Sequence, residues 1–213
     1  MQNNPDLPLI IVGAGGHARE IYSIAHCQGY NKIFFFDDIT TLNILRNCDV
    51  LKSVFELNSQ PFENGFCYII ATGSPKTRKI LHEKFASSNG ELRSIIAHNS
   101  TIDSKSRLGK GLNIMQNSFI SCDTQIGDLS LINSGAMIHH DVEIGEYCEI
   151  CPRATLLGNV KIGGFTMIGT GSIILPGIEI GENCIIGAGS VITKNIPPYS
   201  KGYGNPFKII KKI

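Results

Sequence analysis

From residue 102 onward the chain keeps one strict hydrophobic period. Ile or Leu stands at every sixth position, from Ile102, Leu108 and Ile114 through Ile150, Leu156 and Ile162 to Ile192, sixteen positions without a failure. At a generous one-in-three chance per position such a run arises about once in forty million trials, so the repeat decides the fold of this half. A six-residue period matches neither the 3.6 of a helix nor the 2 of a strand; it matches a triangular solenoid of three short strands per eighteen-residue coil. The sixteen hexads make about 5.3 coils, a prism of roughly 26 Å at the spacing of stacked strands. The residue four places after the aliphatic is small in most hexads (Ser118, Thr124, Ala136, Cys148), which suits crowded corners. Seven of the residues directly after it are glycine, from Gly109 to Gly187, and are expected to relieve backbone strain at turns.

The first half has a different pattern. Pro8 to Val12 reads as a buried strand, followed by Gly13-Ala14-Gly15-Gly16-His17-Ala18 and a helical stretch to about Cys27. Lys32 to Phe36 forms a second strand ending in Asp37 and Asp38. A third strand, Cys67 to Ala71, runs into Thr72-Gly73-Ser74-Pro75 and a helix carrying Arg78, and a last strand covers Leu92 to Ala97. Strand, glycine turn, helix, and an acidic pair about twenty residues later form the dinucleotide-type pattern, here in half size. The expected fold is therefore an α/β Rossmann-like N-terminal half-domain (residues 1–98) followed by a parallel β-helix of hexads with a short tail (residues 99–213). In the first, the N–H groups and dipole of the helix N-terminus hold phosphate, and glycines let it approach the backbone. Gly15, Gly16 and His17 line that turn, with Asp37 and Asp38 at the position of a ribose partner.

Composition narrows the class. Apolar residues are 42% and charged residues 17%, with 19 basic against 18 acidic side chains. That balance excludes a disordered tail and a polyelectrolyte built for nucleic acid. The chain has 23 Gly and no Trp, as a core of thin repeated layers requires. No stretch reads as a targeting or membrane-spanning segment, so a cytoplasmic protein with no membrane partner is expected. Seven scattered cysteines are an odd number, which argues against a disulfide framework and for a reducing compartment. The Cys148-Glu149-Ile150-Cys151 stretch looks like a metal or redox motif, but Cys148 and Cys184 fall in the small-residue register of the repeat and no second such pair completes a zinc site.

The repeat holds two histidines, His139 and His140, and Asp141 follows them. An imidazole beside a carboxylate is the arrangement for a general base, because the carboxylate orients the ring and stabilises the imidazolium once a proton is taken. Zinc is the competing use, although the repeat offers no third histidine.

Taken together, IIVGAGGHARE, FFDD, ATGSPKTR, IHHDVEIG, LLGNVKIGG and the terminal GNPFKII resemble the bacterial sugar acetyltransferases of the left-handed β-helix class, over essentially the full length. That group includes N-acetyltransferases of bacillosamine and perosamine pathways and sialic acid O-acetyltransferases. The resemblance implies a homotrimer with active sites between neighbouring prisms, acetyl-CoA as co-substrate, no required metal, and a nucleotide-linked amino sugar held by the first domain. It implies His140 as general base with Asp141 raising its basicity, and Asn133 placing the acceptor. Gly15, Gly16, His17, Asp37, Asp38 and Gly73 fall at the nucleotide positions. Glu149, Gly158, Thr170 and Ala188 fall at the acetyl-CoA positions, with the Gly158 N–H as an oxyanion donor. Two departures stand out: Glu149 replaces a histidine that some relatives hold near the thioester, and His139 replaces the more usual Gly or Glu. The alternatives are O-acetylation of a sialic acid-like sugar, a solenoid zinc enzyme, and a non-catalytic nucleotide-sugar-binding protein.

Overall fold

The computed structural model describes residues 7–213 and divides into two compact units, Met1–Ile95 and Ile96–Ile213. The first unit is built on strands β1 (Leu9–Val12), β2 (Ile33–Phe36), β3 (Ile44–Leu45), β4 (Cys48–Leu51), β5 (Phe66–Ile70) and β6 (Gly90–Leu92), ordered β3-β4-β2-β1-β5-β6. Central β1 is wholly buried and pairs in parallel with β2 (Leu9 opposite Ile33) and β5 (Leu9 opposite Cys67). Strands buried on both faces read as unbroken apolar runs, as LIIV and FCYII do. Helix α1 (Gly16–Cys27) buries Ala18, Ile21, Ile24 and Ala25, one stripe at helical spacing. Helix α2 (Pro75–Ala86) starts at a Ser74 cap whose Oγ accepts the Thr77 N–H, with Pro at the first turn where its missing donor is harmless. Phe85 of α2 then meets Phe36 edge to face, ring centroids 4.9 Å apart.

The last strand expected in this half, Leu92 to Ala97, is instead two short pieces, β6 and β7 (Ile95–Ile96). The hydrogen bonds explain the break. Arg93 N–H still donates to Tyr68 O on β5, whereas Ala97 N–H donates to Ile114 O in the first coil of the repeat.

In the second unit all sixteen hexad aliphatics end a two-residue strand, from Thr101–Ile102 (β8) to Val191–Ile192 (β23). From Thr101–Ile102 to Ile173–Ile174 each strand pairs in parallel with the one eighteen residues on, as Ile120 does with Ile138 and Ile138 with Leu156, in three stacks. The aliphatics face inward and make one continuous core. The periodicity therefore reads out as a left-handed β-helix. Beyond Pro198, β24 (Ser200–Tyr203) extends one stack, β25 (Lys208–Lys212) pairs with it antiparallel, and Phe207 packs against the core.

Backbone strain lies elsewhere than the glycines after the aliphatics suggest. In fourteen consecutive hexads, from Gly111 to Gly189, the residue three places after the aliphatic is left-handed, with φ between 53° and 71°, and nine of these residues are not glycine. Seven glycines, Gly109 to Gly187, are needed for clearance instead. A Cβ on Gly163 would lie 2.4 Å from the Glu182 backbone N, and one on Gly127 would lie 2.6 Å from that of Glu146.

The small corner residues also do more than save space. Ser130 Oγ donates to Gly145 O (2.9 Å) and accepts the Cys148 N–H (2.9 Å). Thr166 Oγ1 repeats this two coils on, with Gly181 O (2.9 Å) and Cys184 N–H (3.0 Å). Cys148 Sγ donates to Gly163 O and Cys184 Sγ to Pro197 O, so hydroxyl and thiol alternate along one buried corner. Burial pushes the Cys148 thiol up to about 12, which fits a structural donor rather than a nucleophile.

Candidate active site

All six residues expected at a nucleotide lie around one cleft of about 380 Å³ in the first unit, lined by Gly13 to His17, Phe36 to Ile39, Ala71 to Gly73, Thr77 and Leu81. It opens at the carboxyl ends of β1, β2 and β5, where the chain leaves β1 between neighbours on either side, the position of ligands in open α/β sheets. Gly13 has φ +131°, and a Cβ there would stand 2.7 Å from Ala71 O, so only glycine lets the turn pass so close to the neighbouring strand. Helix α1 follows with Gly15 as its N-cap, no capping side chain and no acidic residue in its first turn, which leaves the positive end of its dipole facing the cleft. His17 is 13% exposed and its Nδ1 lies 3.5 Å from Glu20 Oε2.

The two aspartates divide their roles. Asp37 is committed to backbone: Oδ1 accepts Ile39 and Thr40 N–H (3.0 and 2.9 Å), and Oδ2 accepts Ala14 N–H (3.1 Å), tying the end of β2 to the glycine turn. Asp38 pairs with Lys84 of α2 at the cleft rim. Arg78, wholly buried, donates Nη1 to Ile70 O (3.3 Å) and Thr72 O (2.8 Å) and so fixes the strand end that carries Gly73.

In the repeat, His140 and Asp141 occupy one corner of a coil. Asp141 takes the left-handed conformation (φ 59°), and this corner turns its carboxylate back so that Oδ2 lies 2.8 Å from His140 Nδ1. Both side chains are about half exposed. The carboxylate only accepts, so Nδ1 carries the proton and Nε2 is left as the basic nitrogen. The ring rests against the next coil at Gly158. The neighbouring His139 lies beside Phe119, centroids 6.1 Å apart.

Two family models match the chain: the PglD N-terminal domain over residues 8–85, and the bacterial transferase hexapeptide (six repeats) over residues 123–158 and 159–194. No curated protein matches. Among solved structures, a His-to-Asn variant of perosamine N-acetyltransferase from Caulobacter crescentus in complex with CoA and GDP-perosamine is 29% identical, over 96% of this chain and 97% of that one, with a TM-score of 0.89. The acetyltransferase domain of PglB from Neisseria gonorrhoeae is 27% identical over 96% and 100% (TM-score 0.89), and WeeI from Acinetobacter baumannii 25% identical over 95% and 99% (TM-score 0.90). The chain is a hexapeptide-repeat sugar acetyltransferase.

The remaining positions on this acetyltransferase separate by corner. His140 and Gly158 are eighteen residues apart and stack on one edge of the prism. Thr170 and Ala188, also eighteen apart and exposed, stack on the preceding edge. Asn133 begins that same edge one step after Ile132, its Oδ1 accepting Ser134 N–H (2.8 Å). Glu149 opposes Leu131 and Met167 on the face leading to it, and burial, followed by the Glu149 carboxylate, pushes the Cys151 thiol up to about 12. Between the two edges runs a sheet carrying Met137 (42% exposed) and Ile173 (40% exposed). Within one chain, then, the proposed base is not brought beside Thr170 and Ala188. Sequence reasoning did not single out Arg78 as a positioning residue or Lys84 as the partner of Asp38; a lone Arg in a helix after a Gly-Ser-Pro turn was the only signal for the first.

Proposed function

We propose that this acetyltransferase moves the acetyl group of acetyl-CoA directly to the amino group of a nucleotide-activated amino sugar, with His140 as general base and Asp141 as its orienting carboxylate. The observation that carries this reading is the 2.8 Å His140–Asp141 bond at an exposed corner of the prism. In the forward step Nε2 of His140 removes a proton from the acceptor nitrogen as it attacks the thioester carbonyl. The imidazolium is stabilised by Asp141, and a backbone N–H such as that of Gly158 meets the oxyanion of the tetrahedral intermediate. Collapse expels the CoA sulfur, which takes up a proton. No acyl-enzyme is required.

The cleft at the α1 N-terminus supplies the acceptor site: Gly15, Gly16 and His17 meet the phosphates, Gly73 and Asp38 lie at its rim, and Asp37 shapes the turn. Nitrogen is favoured as acceptor because a similar protein, perosamine N-acetyltransferase, binds CoA together with GDP-perosamine. Thr170, Ala188, Glu149 and Asn133 line the neighbouring edge for acetyl-CoA and the acceptor amine. Their separation from His140 within one chain supports a homotrimer in which one protomer's base works beside its neighbour's acetyl-CoA edge, with the Met137 and Ile173 face buried between copies. No helix among the described residues is long and apolar enough to cross a membrane, and the proposed setting is the cytoplasm.

The test is an acetyl-CoA assay against amino sugars linked to UDP, GDP and dTDP, with sialic acids as hydroxyl acceptors. His140→Ala should lose about 10² to 10⁴-fold in turnover while still binding acetyl-CoA. Near-normal turnover in that variant overturns the base; turnover only on sialic acids overturns the amine. Mixing His140→Ala with Thr170→Trp protomers should restore activity if the site spans two chains.

A further inference from the structure

Every coil of the prism places a residue two positions after the aliphatic on an outer edge. Along the edge of the proposed base these residues are Ser104, Cys122, His140, Gly158, Pro176 and Lys194. Gly158 is unusual among them because nothing in its backbone calls for glycine: its φ is not in the left-handed region, unlike that of Gly177 or Gly171. Nor is its nearest obstruction backbone of the next coil, as it is at Gly163. The three atoms nearest to a Cβ at 158 all belong to the imidazole of His140, with Cε1 at 2.5 Å, Nε2 at 2.7 Å and Nδ1 at 3.1 Å. The ring thus lies flat over this one position. Two independent restraints meet on it, the Asp141 carboxylate in its plane at Nδ1 and the bare Gly158 backbone against its face.

We propose that Gly158 is a positioning residue that acts through His140: its missing side chain is the seat that holds the imidazole in the orientation where Nδ1 meets Asp141 and Nε2 faces the acceptor. This rests on His140 being the base and adds a role distinct from any donation by the Gly158 N–H. Because the obstructed group is a half-exposed side chain free to rotate into solvent, a Cβ at 158 displaces the ring and leaves the fold intact. Clearance at most of the glycines that follow the aliphatics works the other way, since there the obstructed atoms are backbone.

The experiment is a double-mutant cycle with Gly158→Ala, His140→Ala and the pair, together with ¹⁵N-histidine NMR of the full-length protein. Gly158→Ala should melt within a degree or two of the parent and keep its KM for acetyl-CoA within about twofold. Its kcat should fall about tenfold or more, the loss expected when a catalytic group is misplaced. The His140 ring should change from a single Nδ1-protonated form to a mixture of tautomers. In the His140→Ala background, Gly158→Ala should cost nothing further. Unchanged kcat in the folded variant overturns the proposal, as does a raised KM with normal kcat, or a loss that persists in the His140→Ala background, since each places the role of Gly158 outside the imidazole. Failure of the base itself shows separately, as full activity in His140→Ala alone.

Discussion

Thr166→Val deletes one hydroxyl from the buried corner of the prism and changes almost nothing else. Thr166 is fully buried, its Oγ1 donates to Gly181 O at 2.9 Å, and it accepts the Cys184 N–H at 3.0 Å. Valine fills the same volume but serves neither partner. The lost bond contributes about 1 kcal/mol and the stranded buried N–H costs about 1–3 kcal/mol, so the variant should be less stable by about 2–4 kcal/mol. Thr166→Ser is the control, because it keeps both bonds and gives up one buried methyl, about 1 kcal/mol. Urea unfolding at a single fixed protein concentration measures both, the concentration being held because association would add to apparent stability. The expected order is parent, then serine, then valine. A valine variant as stable as the serine one would show that the corner is held by packing alone, and the hydrogen-bonded ladder of alternating hydroxyls and thiols would carry no weight.

Gly163→Ala drives a Cβ to 2.4 Å from backbone in the next coil and should destabilise by about 1–3 kcal/mol or more, read in the same unfolding assay; Gly171→Ala, with open space around it, tests left-handed backbone strain alone. The Cys148 thiol, raised to about 12, contributes stability that is fully present below the unfolded value of about 9. That contribution is lost as pH climbs from 9 towards 12, at up to about 1.4 kcal/mol per pH unit. Thermal melts of Cys148→Ser should therefore fall less steeply above pH 9 than those of the parent. Arg78→Met leaves the Ile70 and Thr72 carbonyls without their guanidinium and should weaken nucleotide-sugar binding measured by calorimetry, with a smaller effect on acetyl-CoA binding.

Different physical causes account for what could and could not be read along the chain. The solenoid is legible because each coil repeats one inward aliphatic per hexad, and all sixteen positions from Ile102 to Ile192 end a strand. The glycine turn is legible because few residues can pass as close to a neighbouring strand as Gly13 does. The β3–β4 hairpin is not: its turn residues Arg46 and Asn47 are both left-handed (φ 53° and 61°), and Arg is a poor signal for a two-residue turn. The role of the glycines after the aliphatics was misread because sequence shows that a side chain is missing and not what would have touched it. In the site, spacing pointed to His140 and Asp141, yet the hydrogen bond between adjacent side chains depends on a left-handed corner that eight other non-glycine residues occupy elsewhere in the prism. Asp37 and Asp38 look alike in sequence; only the backbone N–H groups around one and Lys84 beside the other separate them.

The unbroken run of left-handed corners has a consequence for how such a chain can change. Losing or gaining one residue anywhere in the repeat rotates every later side chain off its face and puts each later corner on a residue not selected for it, so length can vary only by whole turns of eighteen. Positions on an edge are therefore spaced in fixed increments of about 4.8 Å. The solenoid acts as a graduated rule, and the reach between an imidazole on one coil and a contact several coils away is set by counting turns, not by the shape of any loop.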